Sequence, residues 1–272
     1  MQYFRQPAIY IRLPSQGKFY PEDAIRITPN GEYPVLPMTT IDEITYRTPD
    51  ALFNGEAVIS VIQSCVPNII NAWGMPAMDI DTVLIAIRIA TYGHAMEINA
   101  KCPSCEHESD FDLDLRQVLA QIKPGDYDQS VTDGDIEVFF RPMDYRQINN
   151  NNLLQFEDQK MLMSVEDSDV PVENKMSQLG EILKKITAVT IRSLAQSISA
   201  VKTPQATVTD TAHITEWLEN CDRKVFGMLR DHIISAKQAS EIKPLTITCS
   251  ACGHEYEQMF TLDMTSFFGD AS

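Results

Sequence analysis

Four of the six cysteines in this 272-residue chain fall in two C-x-x-C pairs, Cys102/Cys105 and Cys249/Cys252. A C-x-x-C turn presents two thiolates on one side of a tetrahedron, and a second turn supplies the other two. That is the donor set of a structural zinc site. The flanks of the pairs repeat as well: Ile98-Asn-Ala-Lys-Cys102-Pro-Ser-Cys105-Glu-His-Glu against Leu245-Thr-Ile-Thr-Cys249-Ser-Ala-Cys252-Gly-His-Glu. Phe111, Leu113 and Leu115 follow the first pair, and Tyr256, Phe260 and Leu262 follow the second. Each copy reads as strand, knuckle, strand, and two such knuckles facing each other make a zinc ribbon. Roughly 140 residues separate Cys105 from Cys249, against about 12–20 in an ordinary ribbon. Closing a loop that long costs about 4 kcal/mol, and a structural zinc contributes about 10–16 kcal/mol apparent, so the metal term wins. Four thiolates fill the coordination shell and leave no open position for water, so the expected cofactor is one structural zinc ion.

Other readings of these residues exist. His107 or His254 could each replace a cysteine as ligand. The thiols could be reduced in a ribbon that has lost its metal. A redox dithiol wants its C-x-x-C at a helix start, and neither pair is predicted there. Cys65 and Cys221 fall on apolar helix faces and read as buried thiols.

The carboxylates offer less. Glu106, Glu108, Asp110, Asp112 and Asp114 recur at period two, which on a strand puts five acids on one face. That face resists aggregation or docks a basic partner. Asp126, Asp128, Asp133, Asp135 and Glu137 suggest calcium, but Val131 stands where an EF-hand needs glycine and the flanks are not helical. No G-x-S-x-G, P-loop, H-E-x-x-H or dinucleotide fingerprint is present. His94, His107, His213, His232 and His254 are scattered, with His213 and His232 reading as helix-surface or core residues. No enzyme is expected.

The elements that would carry these groups follow from periodicity. Residues 1–47 read as a β-rich arm: a strand through Ile9, Ile11 and Leu13, a second over Ala24–Thr28, and an edge strand over Tyr33–Met38 demoted by two prolines. Residues 48–93 read as a central helical pair. Thr48-Pro49-Asp50 starts the first helix, Leu52, Val58, Ile59, Ile62 and Cys65 mark its buried face, and Gly55 weakens its centre. The second runs from Asp79 or Asp81 to Ala90 and is apolar nearly all round. Residues 94–119 with 245–268 form the split zinc ribbon. Residues 120–244 form a mainly helical insert: a strand over Ile136–Arg141, helices over Ile148–Met163 and Gln178–Val201, an acidic loop over Ser164–Glu173, a linker over Lys202–Thr209, and two helical pieces over Thr211–Lys237. The expected fold class is α+β: an N-terminal β/α region and a split zinc ribbon with a mostly α-helical insert.

Charge limits the partners. Lys and Arg number 22, Asp and Glu 38, for a net charge of −16. No basic field is available for phosphate backbones or anionic lipid, so neither nucleic acid nor membrane is an expected partner. Hydrophobic residues at 44% and charged residues at 22% are ordinary globular composition. The first twenty residues show no apolar segment followed by a small-residue cleavage site, so no signal peptide is expected. No apolar run is long enough to span a bilayer.

The first hundred residues also carry a run of motifs: Leu13-Pro14-Ser15-x-Gly17-x-Phe19-Tyr20-Pro21, Pro37-Met38-Thr39-Thr40-x-Asp42-Glu43, Leu52-x-Asn54-Gly55-x-Ala57, Cys65-Val66, and Ala86-x-Arg88-x-Ala90-Thr91-Tyr92-Gly93 leading into Cys102-Pro103-x-Cys105. Over residues 9–105 and the second knuckle this order resembles the baseplate hub assembly proteins of T-even-type contractile-tailed bacteriophages. The resemblance implies a non-enzymatic component of the baseplate central hub, or an assembly factor for it. It implies hub, spike, tail-tube or tape-measure neighbours in a hetero-oligomeric assembly. It also implies a location in the virion tail baseplate, and in host cytoplasm during assembly. A zinc-ribbon adaptor for nucleic acid or another protein complex is the alternative, and a metal-dependent hydrolase is disfavoured by the closed thiolate shell.

Overall fold

A computed structural model describes residues 5–48, 55–166 and 172–260. The chain is mixed α/β with small sheets and divides into two units, 1–125 with 239–272, and 126–238.

In the first unit, β1 (Ile9–Ile11) pairs antiparallel with β2 (Tyr33–Val35), and Ile11, Tyr33 and Val35 point into the core. The expected strand over Ala24–Thr28 is absent. Ile25 makes a single bridge to Ile69, flanked by the amides of Arg26 and Ile70. The 1–47 segment also holds a helix, α1 (Thr40–Tyr46), which the β-rich reading missed. Its capping box is Thr39 with Asp42: Asp42 accepts from the Thr39 amide at 2.7 Å while the Thr39 hydroxyl accepts from the Asp42 amide. Asp42 is buried, and Arg5 and Ser64 also donate to it at 3.2 and 3.0 Å.

Helix α2 (Glu56–Cys65) begins at Gly55, whose φ of 81° makes it a left-handed cap rather than a weak centre. The start expected at Thr48-Pro49-Asp50, and Leu52 with it, run into residues outside those described. Helix α3 (Ala77–Tyr92) is the core of this unit. Val83 to Ile87 are all buried, because the helix is apolar on every side over that stretch.

The Leu13–Pro21 loop is clasped onto α3. Asp79 is fully buried and accepts from the Ser15 amide at 2.8 Å, the Ser15 hydroxyl, and the Tyr20 hydroxyl at 2.9 Å. Gly17 turns this loop at φ 80°, where a Cβ would lie 2.5 Å from Ile27 Cδ1. The Pro21 ring leaves no room for a Cβ at Gly74. Burial pushes the Asp79 carboxyl up to about 6, against the hydrogen bonds from Ser15 and Tyr20, which favour the charge.

After α3, β3 (Ala95–Lys101) and β4 (Glu108–Asp114) form a hairpin paired Ala95↔Asp114 to Lys101↔Glu108. Leu115 does not continue the strand; it starts α4 (Leu115–Gln121), capped by the Asp114 side chain on the Arg116 amide. At the other end of the chain, β9 (Leu245–Thr248) and β10 (Glu255–Gln258) form a second hairpin. Leu262 lies outside the described residues.

The second unit has a four-stranded antiparallel sheet as well as helices, in the order β5 (Val131–Asp133), β6 (Ile136–Phe140), β7 (Ile198–Lys202), β8 (Thr207–Val208). Helices α5 (Tyr145–Glu166) and α6 (Val172–Gln196) pack as a hairpin. Asn151 on α5 donates to Ser193 Oγ and Gln196 Oε1 on α6, both at 2.9 Å. The acidic loop expected over 164–173 is therefore helical at both ends, with 167–171 outside the described residues. Helix α6 stops at Gln196 instead of running to Val201. Ile198 and Val201 are buried on β7, against Phe140 and Val138 of β6. The expected linker over 202–209 contains β8. Helices α7 (Thr211–Asn220) and α8 (Arg223–Gln238) follow, burying Ile214, Leu218, Leu229 and Ala236.

Candidate metal centre

The two β hairpins of the first unit bring the four paired cysteines together, one C-x-x-C turn at each hairpin tip. The turns are built alike. The Cys102 amide donates to the His107 carbonyl and the Glu106 amide to the Cys102 carbonyl, each at 2.9 Å. The Cys249 amide donates to the His254 carbonyl and the Gly253 amide to the Cys249 carbonyl, again at 2.9 Å. These bonds turn the chain back so that both thiols of a pair face the same way. The price is a left-handed residue after the second cysteine. Gly253 takes it at φ 72°, Glu106 at φ 58°. A side chain is strained there, and glycine is not.

Sulfur spacing decides what the cluster can hold. Cys102 Sγ lies 3.8 Å from Cys252 Sγ, and Cys105 Sγ 3.6 Å from Cys249 Sγ. All four atoms fall within 4.8 Å of one another, the single such cluster among the described residues. A tetrahedron with Zn–S bonds of about 2.3 Å has sulfurs about 3.8 Å apart. The cross-turn distances match that edge length, and they are too long for a disulfide. Cys102 and Cys249 are buried, whereas Cys105 and Cys252 are exposed.

The local backbone favours anionic sulfur at Cys249. Amides of Cys252 and Ala251 point at Cys249 and pull its thiol down to about 6. The His107 amide acts in the same direction on Cys105. Hydrogen bonds shared with the Cys252, Cys249 and Cys102 sulfurs outweigh it and push Cys105 up to about 12. Four sulfurs this close cannot all ionise unless a cation sits among them. Cys65 is buried as expected, and Cys221 is half-buried at the end of α7 rather than on its apolar face. His107 and His254 are exposed and contribute backbone carbonyls to the turns.

The acidic stripe is shorter than the period-two pattern suggested. Glu106 belongs to the turn and lies 3.6 Å from Lys101. Asp114 caps α4 and makes hydrogen bonds to the Arg116 side chain, which hold its carboxyl down at about 2. Glu108, Asp110 and Asp112 remain exposed on one face of β4, with Asn99 donating to Asp110 at 2.9 Å. Asp133, Gly134 and Asp135 shape the β5–β6 turn, and Glu137 accepts from Ser130 at 2.8 Å, so the acidic segment makes a hairpin rather than a calcium loop. His213 is exposed, and His232 packs against Phe140 with ring centroids 4.4 Å apart and planes tilted by 37°. The Ser109–Ser250 hydroxyl contact at 3.0 Å joins the two hairpins, and sequence spacing could not have found it.

Among the described residues, no helix is long and apolar enough to cross a membrane. No curated protein and no solved structure matches the chain significantly. A family model does, over residues 10–269, and its description is T4 bacteriophage base plate protein. That match takes in nearly the whole chain, both cysteine turns and the segment between them, and the chain belongs to the T4 bacteriophage base plate protein family.

Proposed function

We propose that this baseplate protein serves the central hub of the tail without catalysing a reaction, as a component or an assembly factor. In this reading it holds its partners on a scaffold stapled by one zinc ion. Cys102, Cys105, Cys249 and Cys252 would hold the ion, and the match of their sulfur spacing to a zinc–thiolate tetrahedron carries the proposal. When bound, the ion supplies a cross-link and no reactive position. Hub, spike, tail-tube or tape-measure proteins are the proposed partners, met first in the host cytoplasm. Glu108, Asp110 and Asp112 offer a face to any of these that is basic.

Elemental analysis of the full chain, purified without chelator, tests the staple. One zinc per chain is expected, and Cys249→Ser should release most of it. Wild-type protein with no bound zinc would overturn the metal assignment. Mass spectrometry of mature particles separates the two hub roles. Recovery of the chain means a component. Its absence there, together with its presence in assembly intermediates, means an assembly factor. If no tail protein co-purifies with it at either stage, the hub reading fails.

A further inference from the structure

The sulfur contacts of the cysteine cluster cross from one hairpin to the other. Cys105 Sγ lies 3.6 Å from Cys249 Sγ, and Cys252 Sγ lies 3.8 Å from Cys102 Sγ. Each contact joins an exposed thiol, Cys105 or Cys252, to a buried one, Cys249 or Cys102. An oxidant in solution therefore reaches one member of each pair, and the other member waits beside it. A disulfide has sulfurs about 2.05 Å apart, so each pair has to close by about 1.6–1.8 Å. One side-chain rotation covers that distance.

Contacts other than sulfur hold the two tips in this register. The Ser109 and Ser250 hydroxyls meet at 3.0 Å beside the turns. Within each turn the amides of Glu106 and Gly253 bond back to the carbonyls of Cys102 and Cys249, which keeps both thiols of a turn facing the same way instead of facing each other. The two kinds of bond also differ in what they would hold. An in-turn disulfide closes a ring over three positions and leaves the hairpins separate. A cross-turn disulfide spans 144 or 150 positions and takes far more freedom from the unfolded chain.

We propose that Cys105 with Cys249, and Cys102 with Cys252, are latent disulfides that take over the joining of the two hairpins when the chain meets a peroxide. The exposed thiol attacks one oxygen of hydrogen peroxide. An S–O bond forms, the O–O bond breaks, and the departing hydroxide leaves as water with the thiol's proton. The buried partner then attacks that sulfur. The S–S bond forms, the S–O bond breaks, and a second water leaves with the partner's proton. Each pair loses two electrons, and one peroxide is reduced to two waters. The four metal donors are used up, and the hairpin tips stay joined. The use of this chemistry rests on the reading of the chain as a component of the particle. A finished baseplate leaves the reducing host cytoplasm, where thiols persist, for surroundings in which disulfides do.

Hydrogen peroxide added to the purified full-length chain, followed by thiol blocking and mass spectrometry of an unreduced digest, tests the proposal. The peptide bearing Cys102 and Cys105 should be linked to the peptide bearing Cys249 and Cys252, with Cys65 and Cys221 blocked as free thiols. Fragmentation should pair Cys105 with Cys249 and Cys102 with Cys252, and Cys105→Ser should leave the single link from Cys102 to Cys252. After chelation, the oxidised chain should melt several degrees above the reduced one. In-turn disulfides, links between chains, sulfinic acids in place of links, or an oxidised chain that melts no higher would each overturn the proposal. The map reads the same with or without bound zinc. A chain purified without zinc but forming cross-turn links would overturn the metal assignment alone, and a zinc-bound chain forming in-turn links would overturn this proposal alone.

Discussion

Replacing Asp79 with asparagine should change how stability depends on pH. Asp79 is fully buried between the Leu13–Pro21 loop and α3, and its carboxyl sits at about 6 against 3.8 in an unfolded chain. Between those two values the folded protein binds a proton that the unfolded chain has released. The stability that this carboxyl contributes therefore falls as pH rises from about 4 to about 6, then levels off. The shift of roughly two units corresponds to about 3 kcal/mol of folding free energy, present in acid and lost by pH 7. Asp81 has its carboxyl raised to about 6 as well, by burial and by Glu241, so it adds to the same slope. Asparagine at 79 removes one of the two contributions, because it cannot ionise. It keeps an acceptor for the Ser15 amide, and its amide group can donate to the hydroxyls. Urea unfolding of the zinc-replete chain at several pH values between 4 and 7 gives both curves. Metal binding to the thiolates has its own pH dependence and acts alike on both proteins, so the difference between the curves reads Asp79: wild type should lose about 3 kcal/mol relative to Asp79→Asn between pH 4 and pH 7. A variant curve parallel to the wild-type curve, or a difference between them that grows in favour of the wild type as pH rises, would refute the account of a carboxylate held out of water.

Two further expectations concern backbone conformation. Glu106→Gly should stabilise the chain by about 1 kcal/mol, since it removes a side chain from a left-handed position. The exposed contact with Lys101 at 3.6 Å is worth little, so a lower denaturation midpoint for this variant would count against the strained turn. Gly17→Ala should cost about 1–2 kcal/mol through its φ of 80°. Ile27 Cδ1 is the end of an exposed side chain and can move aside, so a loss well beyond that range would place the cost in the Tyr33 hydroxyl 3.2 Å away. Chemical denaturation reads both.

The cluster of cysteines was legible because two independent signals agreed: ligand spacing, and a doubled flank around it. Helix α3 was legible because an apolar run with few breaks has only one stable place, the interior. What sequence reading missed has physical causes. Ile198 and Val201 continue the helical period of α6, yet they also suit a strand. Pairing with Phe140 and Val138 decides the matter, and that contact spans about sixty residues. Helix α1 is two turns long, too short for periodicity to register, although Thr39 and Asp42 had the spacing of a cap. The motif Leu13-Pro14-Ser15-x-Gly17-x-Phe19-Tyr20-Pro21 carries part of the family resemblance, and its spacing alone gives it no structural task. Its polar members turn out to satisfy one buried carboxylate far along the chain.

The position of the cysteines within the first unit explains why a metal staple suits this chain. Residues 239–260 return to that unit after the whole of 126–238. Their own contribution is modest: a hairpin of four residue pairs, with Ser240, Ile247, Cys249 and Phe260 buried. Two-stranded hairpins of that length are marginal alone, and the contacts around Ser240, such as the Lys123 amide on the Ala239 carbonyl at 2.9 Å, lie at the other end of the segment. In the proposed reading the metal fastens the tip of this hairpin to the β3–β4 turn and offsets the entropy of closing the long intervening loop. A segment that could gain so much from one ion and so little from its own core is an economical way to return a chain to its first unit.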